Sequence, residues 1–277
     1  MQHEPIFNHK TLDVNTVLAT VQKIKRDRAH RDRYNLFFVE GVRNFVRLAD
    51  NKFKFAVILY SEKLLTAPLA RKLVRQLRRS QVPTVKLTPE QYRQISNYPR
   101  ASGIAAIAHQ HWTDLDRIVP QQNLCWILLE QVNSPGNLGT LIRTSEAAGG
   151  GGFIFVGKSI DPFDSNVIRA TMGALFEQKI IRTKYNTLRR WLDRDRYSVV
   201  GVSPDGRSNF HSFNFAERTV LLLGEEKRGL TKQQRELCRD FVRIPIAGKA
   251  DSLNLAVAGS LLLYEVYRQG NLFAGKR

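Results

Sequence analysis

Five short apolar runs, at residues 124–129, 153–156, 197–202, 219–223 and 241–246, alternate with longer stretches of helical periodicity. Each run is short for a helix and lacks the strict polar alternation of a half-exposed strand. Strands buried on both faces read this way, and flanking helices must supply the cover. The second half of the chain is therefore expected to be an α/β domain with a mainly parallel sheet. Ligands in such sheets sit at the carboxyl ends of the strands, where the loops begin.

A smaller α/β unit is expected in front of it. Strands at 36–39, 55–60, 83–87 and 103–108 alternate with helical stretches at 11–28, 41–50, 64–79 and 89–97. The polar, proline-containing stretch 109–122 is the best boundary, which gives a front domain at 1–108, a linker, and a second domain at 123–277. The start of the chain, residues 1–5, lacks the basic opening and apolar run of a signal peptide. No stretch approaches the roughly 18 apolar residues of a membrane span, so a cytoplasmic location without membrane attachment is expected. Cys125 and Cys238 stand far apart, so neither a disulfide framework nor a bound metal is expected.

Charge narrows the class of partner. The chain has 277 residues and carries 43 Lys and Arg against 25 Asp and Glu, a formal +18, and a polyanion is the natural counterpart. Residues 1–110 hold +12 of this. On a helix over 64–79, Arg71, Lys72, Arg75, Arg78 and Arg79 share one stripe, opposite Leu65, Leu69, Leu73 and Leu77. A second basic segment contains Lys23, Lys25, Arg26, Arg28, Arg31 and Arg33. Taken alone, either is also a solvated outer face. Together they favour contact with the phosphates of a polyanion, with Arg26, Arg28, Arg33, Arg71, Arg75, Arg78 and Arg79 as the candidate contacts and affinity that falls with salt.

Three segments of the second domain could carry chemistry. Asn133-Ser-Pro-Gly-Asn137-Leu-Gly139 turns a strand into a helix whose free N–H groups lie near the loop, with Arg143 projecting opposite the buried stripe. Leu221-Leu-Leu-Gly224-Glu-Glu226-Lys-Arg-Gly229-Leu230-Thr231 delivers a glycine where backbone can approach a ligand, then paired carboxylates, then a capping Thr231. Ile244-Pro-Ile-Ala-Gly248-Lys-Ala-Asp-Ser252-Leu-Asn254 leads into an almost wholly apolar helix, with Asp251 or Ser252 suited to cap it. That helix must be buried against the sheet or a partner subunit. Alone, each segment has a plainer reading: a solvated helix, a salt-bridged loop, a simple cap. The run of glycines at 149–152 follows a helix and precedes a strand, which fits a helix stop better than a phosphate loop.

In this order, the three segments resemble the three motifs of the SpoU, or TrmH, family within the SPOUT methyltransferases, over residues 124–268. Residues 23–108 resemble more loosely the ribosomal-protein-like substrate-binding domain that several members carry, with Arg33, Phe38, Glu40 and Gly41 at its start. The resemblance implies a C-terminal segment threaded as a trefoil knot, an exception to the usual rule against knots. It implies S-adenosyl-L-methionine as methyl donor, a ribose 2′-hydroxyl as acceptor, and a homodimer with the site at the interface. Carried over residue by residue, it makes Asn137 and Arg143 the first-motif pair, Glu226 the second-motif acid, and Ser252 and Asn254 the polar third-motif residues. Backbone at Gly224, Ile244 and Leu253 would hold the adenine. Ser134, Glu225 and Thr171 stand where Asp, Asn or Ser, and Ser are more usual.

The family arginine has been assigned as the base, but a guanidinium with a pKa above about 12 gives up its proton reluctantly. Arg143 is therefore expected to grip the phosphate beside the target ribose and to stabilise developing alkoxide. Asn137 and Glu226 would orient it, while Ser252 and Asn254 hold the loop. The front domain points to rRNA in preference to tRNA. The rival readings are a tRNA 2′-O-methyltransferase, a base methyltransferase of another SPOUT branch, a small-molecule methyltransferase and a non-catalytic RNA-binding or ribosome-assembly factor.

Overall fold

The computed structural model describes residues 12–119, 125–157 and 160–270. The chain start at 1–5, residue 11 of the first expected helix, the linker end at 120–122 and the strand start at 124 lie outside them. The chain divides into two compact units, Met1–His111 with Asp161–Glu177, and Trp112–Ile160 with Gln178–Arg277.

The first unit runs α1 (Val14–Arg26), α2 (Arg28–Tyr34), β1 (Leu36–Glu40), α3 (Val42–Asp50), β2 (Phe55–Tyr60), α4 (Pro68–Arg79), β3 (Thr84–Lys86), α5 (Pro89–Ile95) and β4 (Ile104–His109). Its four strands lie in the order β1-β4-β2-β3, with β4 antiparallel to β1 and β2, and β3 parallel to β2. Val17, Val21 and Ile24 of α1 pack with Phe38, Val57, Leu59, Tyr92 and Ile107 in its core. The expected helix at 11–28 is two helices. Asp27 is extended (φ −113°, ψ 108°), and its carboxylate caps α2 by accepting from the His30 N–H.

The leucine stripe expected at 64–79 is only partly observed. Pro68 at the first turn starts α4 later than the periodicity suggests, because its fixed φ suits a helix start and its missing N–H costs nothing there. Leu65 is buried in the preceding turn, whereas Leu69 is 54% exposed, and Ala70 and Val74 form the buried contact.

The second unit contains β5 (Trp126–Leu129), α6 (Pro135–Ala147) and β6 (Gly152–Val156). The chain then crosses to the first unit as α7 (Ser165–Thr171) and a 3-10 turn at Ala174–Glu177. It resumes as β7 (Lys179–Thr183), α8 (Tyr185–Arg194), β8 (Ser198–Val202), β9 (Ser208–Asn209), β10 (Thr219–Leu223), α9 (Lys232–Arg235), β11 (Asp240–Arg243) and α10 (Leu255–Gln269). All pairings in the seven-stranded sheet are parallel, in the order β7-β6-β5-β10-β8-β11-β9. The expected parallel α/β architecture is therefore present, with β7 and β9 added at its edges. Gly149 N–H bonds to the Glu146 carbonyl at 3.1 Å, so the glycine run does close α6.

The segment Asp161–Glu177 falls within the stretch that sequence alone assigns to the second domain, yet it packs into the first unit. Phe163 and Phe176 meet Phe37, with ring centroids 5.1 and 6.1 Å apart. Asp161 pairs with Arg31 at 2.6 Å and Asp164 with the same guanidinium at 3.6 Å. Arg31 also donates to the carbonyls of Ile24 and Lys25. Only 3% exposed, it is a buried internal cation and not the phosphate contact its place in a basic run suggests.

Candidate functional site

Loops leaving the carboxyl ends of β8 and β10, with the segment between β11 and α10, surround a cavity of about 500 Å³. This is within the range of roughly 300–1,000 Å³ common for small-molecule sites. Gly224, Glu226, Ile244, Ser252 and Leu253 all line it. Arg143, Asn137 and Asn254 are not among the lining residues.

The first motif begins where Ser134 caps α6 by accepting from the Asn137 N–H at 3.4 Å, with Pro135 in the first turn. Ser134 thus fills the capping role open to an Asp. The Asn137 side chain uses both its polar atoms. Its Nδ2 donates to Glu226 Oε1, and its Oδ1 accepts from Asn254 Nδ2 at 3.1 Å. A parallel link joins Asn133 Nδ2 to Glu225 Oε1 at 3.1 Å.

The second motif is a tight loop. Glu225 and Gly229 exchange backbone hydrogen bonds at 3.0 and 2.8 Å. A Cβ on Gly224 would lie 2.4 Å from the carbonyl carbon of Gly229, so this glycine is required by the loop's own closure. Thr231 and Gln234 form a reciprocal capping box on α9. The exposed Arg228 stands 3.9 Å from Glu225, a contact of little energetic weight.

In the third motif the cap is Asn254, whose Oδ1 accepts from the N–H groups of Ala256 and Val257 at 2.9 and 3.4 Å. Asp251 and Ser252, the expected caps, are instead exposed cavity residues. The last helix is not buried all round either. Val257, Leu261 and Tyr264 are 48, 41 and 48% exposed along one stripe. α10 packs against α6, where Ser260 Oγ and Thr144 Oγ1 are 3.0 Å apart.

Arg143 is exposed on α6 and makes no hydrogen bond or ion pair among the described residues. In the first unit, Lys72, Arg75, Arg78 and Arg79 are exposed on α4, while Arg71 is tied down by donating to the Leu65 carbonyl at 2.6 Å. Arg26 is exposed, Arg33 lies 5.4 Å from the Tyr34 ring centroid, and Arg28 faces Asp32 at 3.6 Å.

Sequence reading missed Glu130, at the exit of β5. Its carboxylate accepts from the Tyr185 hydroxyl at 2.7 Å and from Gln234 Nε2 at 2.8 Å. This anchors the far end of the second-motif loop to the sheet. Burial and the adjacent carboxylate push the Tyr185 hydroxyl well above its ordinary range. The Thr231-x-x-Gln234 spacing, a capping-box pattern, was the available signal.

The residues present fit S-adenosylmethionine. Ile246 and Leu253, 37 and 36% exposed at the cavity, offer apolar surface for a flat base. Glu225, Glu226 and Asp251 beside them suit a cationic sulfonium. Among the described residues no helix is long and apolar enough to cross a membrane, and no cluster of side chains could hold a metal ion.

Residues 125–264 match the SpoU rRNA Methylase family, and residues 19–106 match the MRM3-like substrate binding domain. A 23S rRNA (uridine(2479)-2′-O)-methyltransferase of Streptomyces viridochromogenes is 31% identical, over 90% of this chain and 88% of its own length. The AdoMet-bound rRNA methyltransferase from Sinorhizobium meliloti superposes with a TM-score of 0.84 at 29% identity, covering 93% of this chain and 96% of that one. The SpoU methyltransferase AviRb from Streptomyces viridochromogenes, in complex with AdoMet, gives 0.83 at 29% identity, covering 94% and 99%. With the first family match falling on the sheet that bears the cavity and the second on the basic front unit, the chain belongs to the SpoU rRNA methylase family and is an S-adenosylmethionine-dependent RNA methyltransferase.

Proposed function

We propose that the chain methylates a ribose 2′-hydroxyl of ribosomal RNA, working as a homodimer. The observation that carries this reading is the hydrogen-bonded chain Glu226–Asn137–Asn254, which joins all three sequence motifs beside one cavity. The matches to rRNA methyltransferases support rRNA in preference to tRNA. A cytoplasmic location is part of the same proposal. The family's trefoil knot belongs to the same proposal, supported by the fold likeness over more than nine-tenths of the chain.

When bound, S-adenosylmethionine supplies a methyl group made electrophilic by its sulfonium. Backbone at Gly224, Ile244 and Leu253 would hold it, and Ser252 would steady the loop around it. The remaining task is alignment and exclusion of water. Arg143 would grip the phosphate next to the target ribose and stabilise the hydroxyl oxygen as its O–H proton is lost to solvent and the methyl carbon–sulfur bond gives way to the new methyl carbon–oxygen bond. A permanently charged guanidinium suits that role better than proton acceptance. Asn137, Glu226 and Asn254 act as positioning residues. Arg143 reaches the cavity of a second copy, which is supported by its exposure outside its own cavity and by the apolar stripe Val257, Leu261 and Tyr264 on the adjoining helix. Residues 1–108, together with the α7 segment, form the RNA-docking part, and the exposed cations of α4 with Arg26, Arg28 and Arg33 make phosphate contacts.

Mapping 2′-O-methyl groups in total RNA from cells with and without the protein tests the reading. One ribose in rRNA that loses its methyl supports it. A lost tRNA methyl, or donor binding without transfer to any RNA, would overturn it in favour of the tRNA enzyme or the non-catalytic factor.

A further inference from the structure

We propose that Asp205 holds the adjacent 2′- and 3′-hydroxyls of the methyl donor's own ribose, with Ser203 and Arg235 holding Asp205 in place, an inference that rests on the adenine lying at Gly224, Ile244 and Leu253. Ser203, Pro204, Asp205 and Arg235 line the same cavity as those three residues and lie outside the three sequence motifs. In the sheet, β8 lies between β10 and β11. The loop that leaves β8 at Ser203 therefore starts between the strand that ends before Gly224 and the strand that ends before Ile244. The ribose is bonded directly to the adenine. A polar group at this strand end thus falls to the ribose before any other part of the donor.

The loop is closed by its own hydrogen bonds. Buried Ser203 donates its N–H to the Val242 carbonyl at 3.0 Å, and the Gly206 N–H donates back to the Ser203 carbonyl at 3.0 Å. A Cβ on Gly206 would stand 2.4 Å from the carbonyl carbon of Val242, so a glycine is what lets this turn lie against β11. The Ser203 hydroxyl donates to Asp205 Oδ1. Arg235, the last residue of α9, donates through Nη2 to Ser203 Oγ at 3.1 Å and lies 3.2 Å from both Asp205 oxygens. The hydroxyl and the guanidinium hold the Asp205 carboxyl below its ordinary value, so it stands ionised and only accepts. A carboxylate offers about four acceptor positions, and the Asp205 side chain, 64% exposed at the cavity wall, keeps some of them open. Two neighbouring hydroxyl donors are its complement, as when an acidic side chain takes a ribose in dinucleotide sites. Arg235 is occupied by Ser203 and Asp205, which makes it a support for the carboxylate.

The test is calorimetric titration of the full-length protein with S-adenosylhomocysteine, its 2′-deoxy and 3′-deoxy forms, and 5′-methylthioadenosine, which keeps the ribose and lacks the amino-acid end. Each deoxy form should bind wild type about ten- to a hundredfold more weakly than the parent, the range for losing a hydrogen bond to a charged group. Asp205→Ala should bind parent and deoxy forms within about twofold of one another, since the partner of both hydroxyls is gone. The penalty for 5′-methylthioadenosine should be the same in variant and wild type. Deoxy forms that bind wild type as well as the parent would overturn the proposal, as would full discrimination kept by Asp205→Ala. A 5′-methylthioadenosine penalty that vanishes in Asp205→Ala would also overturn it, by moving the carboxylate to the donor's ammonium group. Should Asp205→Ala fail to melt cooperatively, Asp205→Asn takes its place, with discrimination smaller than wild type expected. Wild-type protein that binds none of the four compounds would instead sink the placement of the donor in this cavity.

Discussion

The amide of Asn254 donates to the carbonyl oxygen of the Asn137 side chain at 3.1 Å, tying the cap of α10 to the first turn of α6. Because Asn137 passes the link on to Glu226, the three side chains form one unit. Replacing Asn137 or Asn254 with Ala should each lower kcat by about one to two orders of magnitude, as expected for mispositioned groups. The double variant should be little worse than either single one, since coupled residues do not add. Asn254→Asp should keep the cap, while Asn254→Ala loses about 1 kcal/mol of stability. Single-turnover methylation rates alongside thermal melts check this; fully additive effects on kcat would break the unit apart.

Arg143 leads to a second expectation. Arg143→Ala should abolish methylation while leaving the affinity for S-adenosylhomocysteine near wild type. Mixing it with Glu226→Ala, slowed like the other members of its unit, should give more activity than either variant alone if each site draws on two copies. A mixture no more active than either variant alone, with exchange of subunits verified by mass, argues that both residues serve the same protomer.

The exposed cations of α4 should be read through salt. The triple change Arg75→Gln, Arg78→Gln and Arg79→Gln should weaken RNA binding and flatten the slope of log K against log salt by about 0.7 for each lost phosphate contact in single-stranded RNA. An unchanged slope would return this face to simple solvation.

Glu40 makes a pH-dependent prediction. Burial raises its carboxyl above the ordinary value, outweighing the Ser96 and Asn97 hydrogen bonds and nearby Lys25. The folded state therefore holds its proton to higher pH than the unfolded chain does. The stability this contributes is complete below pH about 4.5 and is lost as pH rises through the raised value. The Tm of wild type minus that of Glu40→Gln should fall over that interval, and a flat difference would refute the shift.

Much of this was legible in the sequence, and what was not has physical causes. The parallel sheet followed from β5, β6, β8 and β10, whose residues are buried on both faces. β7 escaped notice because Ile180 and Ile181 are its only buried pair, between the exposed Lys179 and Arg182. The motif residues were named from their order, but a meeting between Asn137 and Asn254, 117 positions apart, lies beyond periodicity. The burial of Arg31 within a basic run was hidden for the same reason. Its carboxylate partners, Asp161 and Asp164, follow more than a hundred residues later. Leu69 shows the opposite failure, a clean apolar repeat broken by a proline that shifted the start of α4.

The crossing of Asp161–Glu177 into the first unit has a consequence for synthesis. Chains emerge from the ribosome amino end first, and domains generally fold as units as they appear. Here the front unit cannot close when residue 111 emerges, since Arg31 and Phe37 still await Asp161, Phe163 and Phe176. By the time those partners arrive, β5, α6 and β6 are already outside the tunnel. The unit made first is thus not the one that can be finished alone, and a fragment cut at residue 108 would carry a buried cation with no counter-charge.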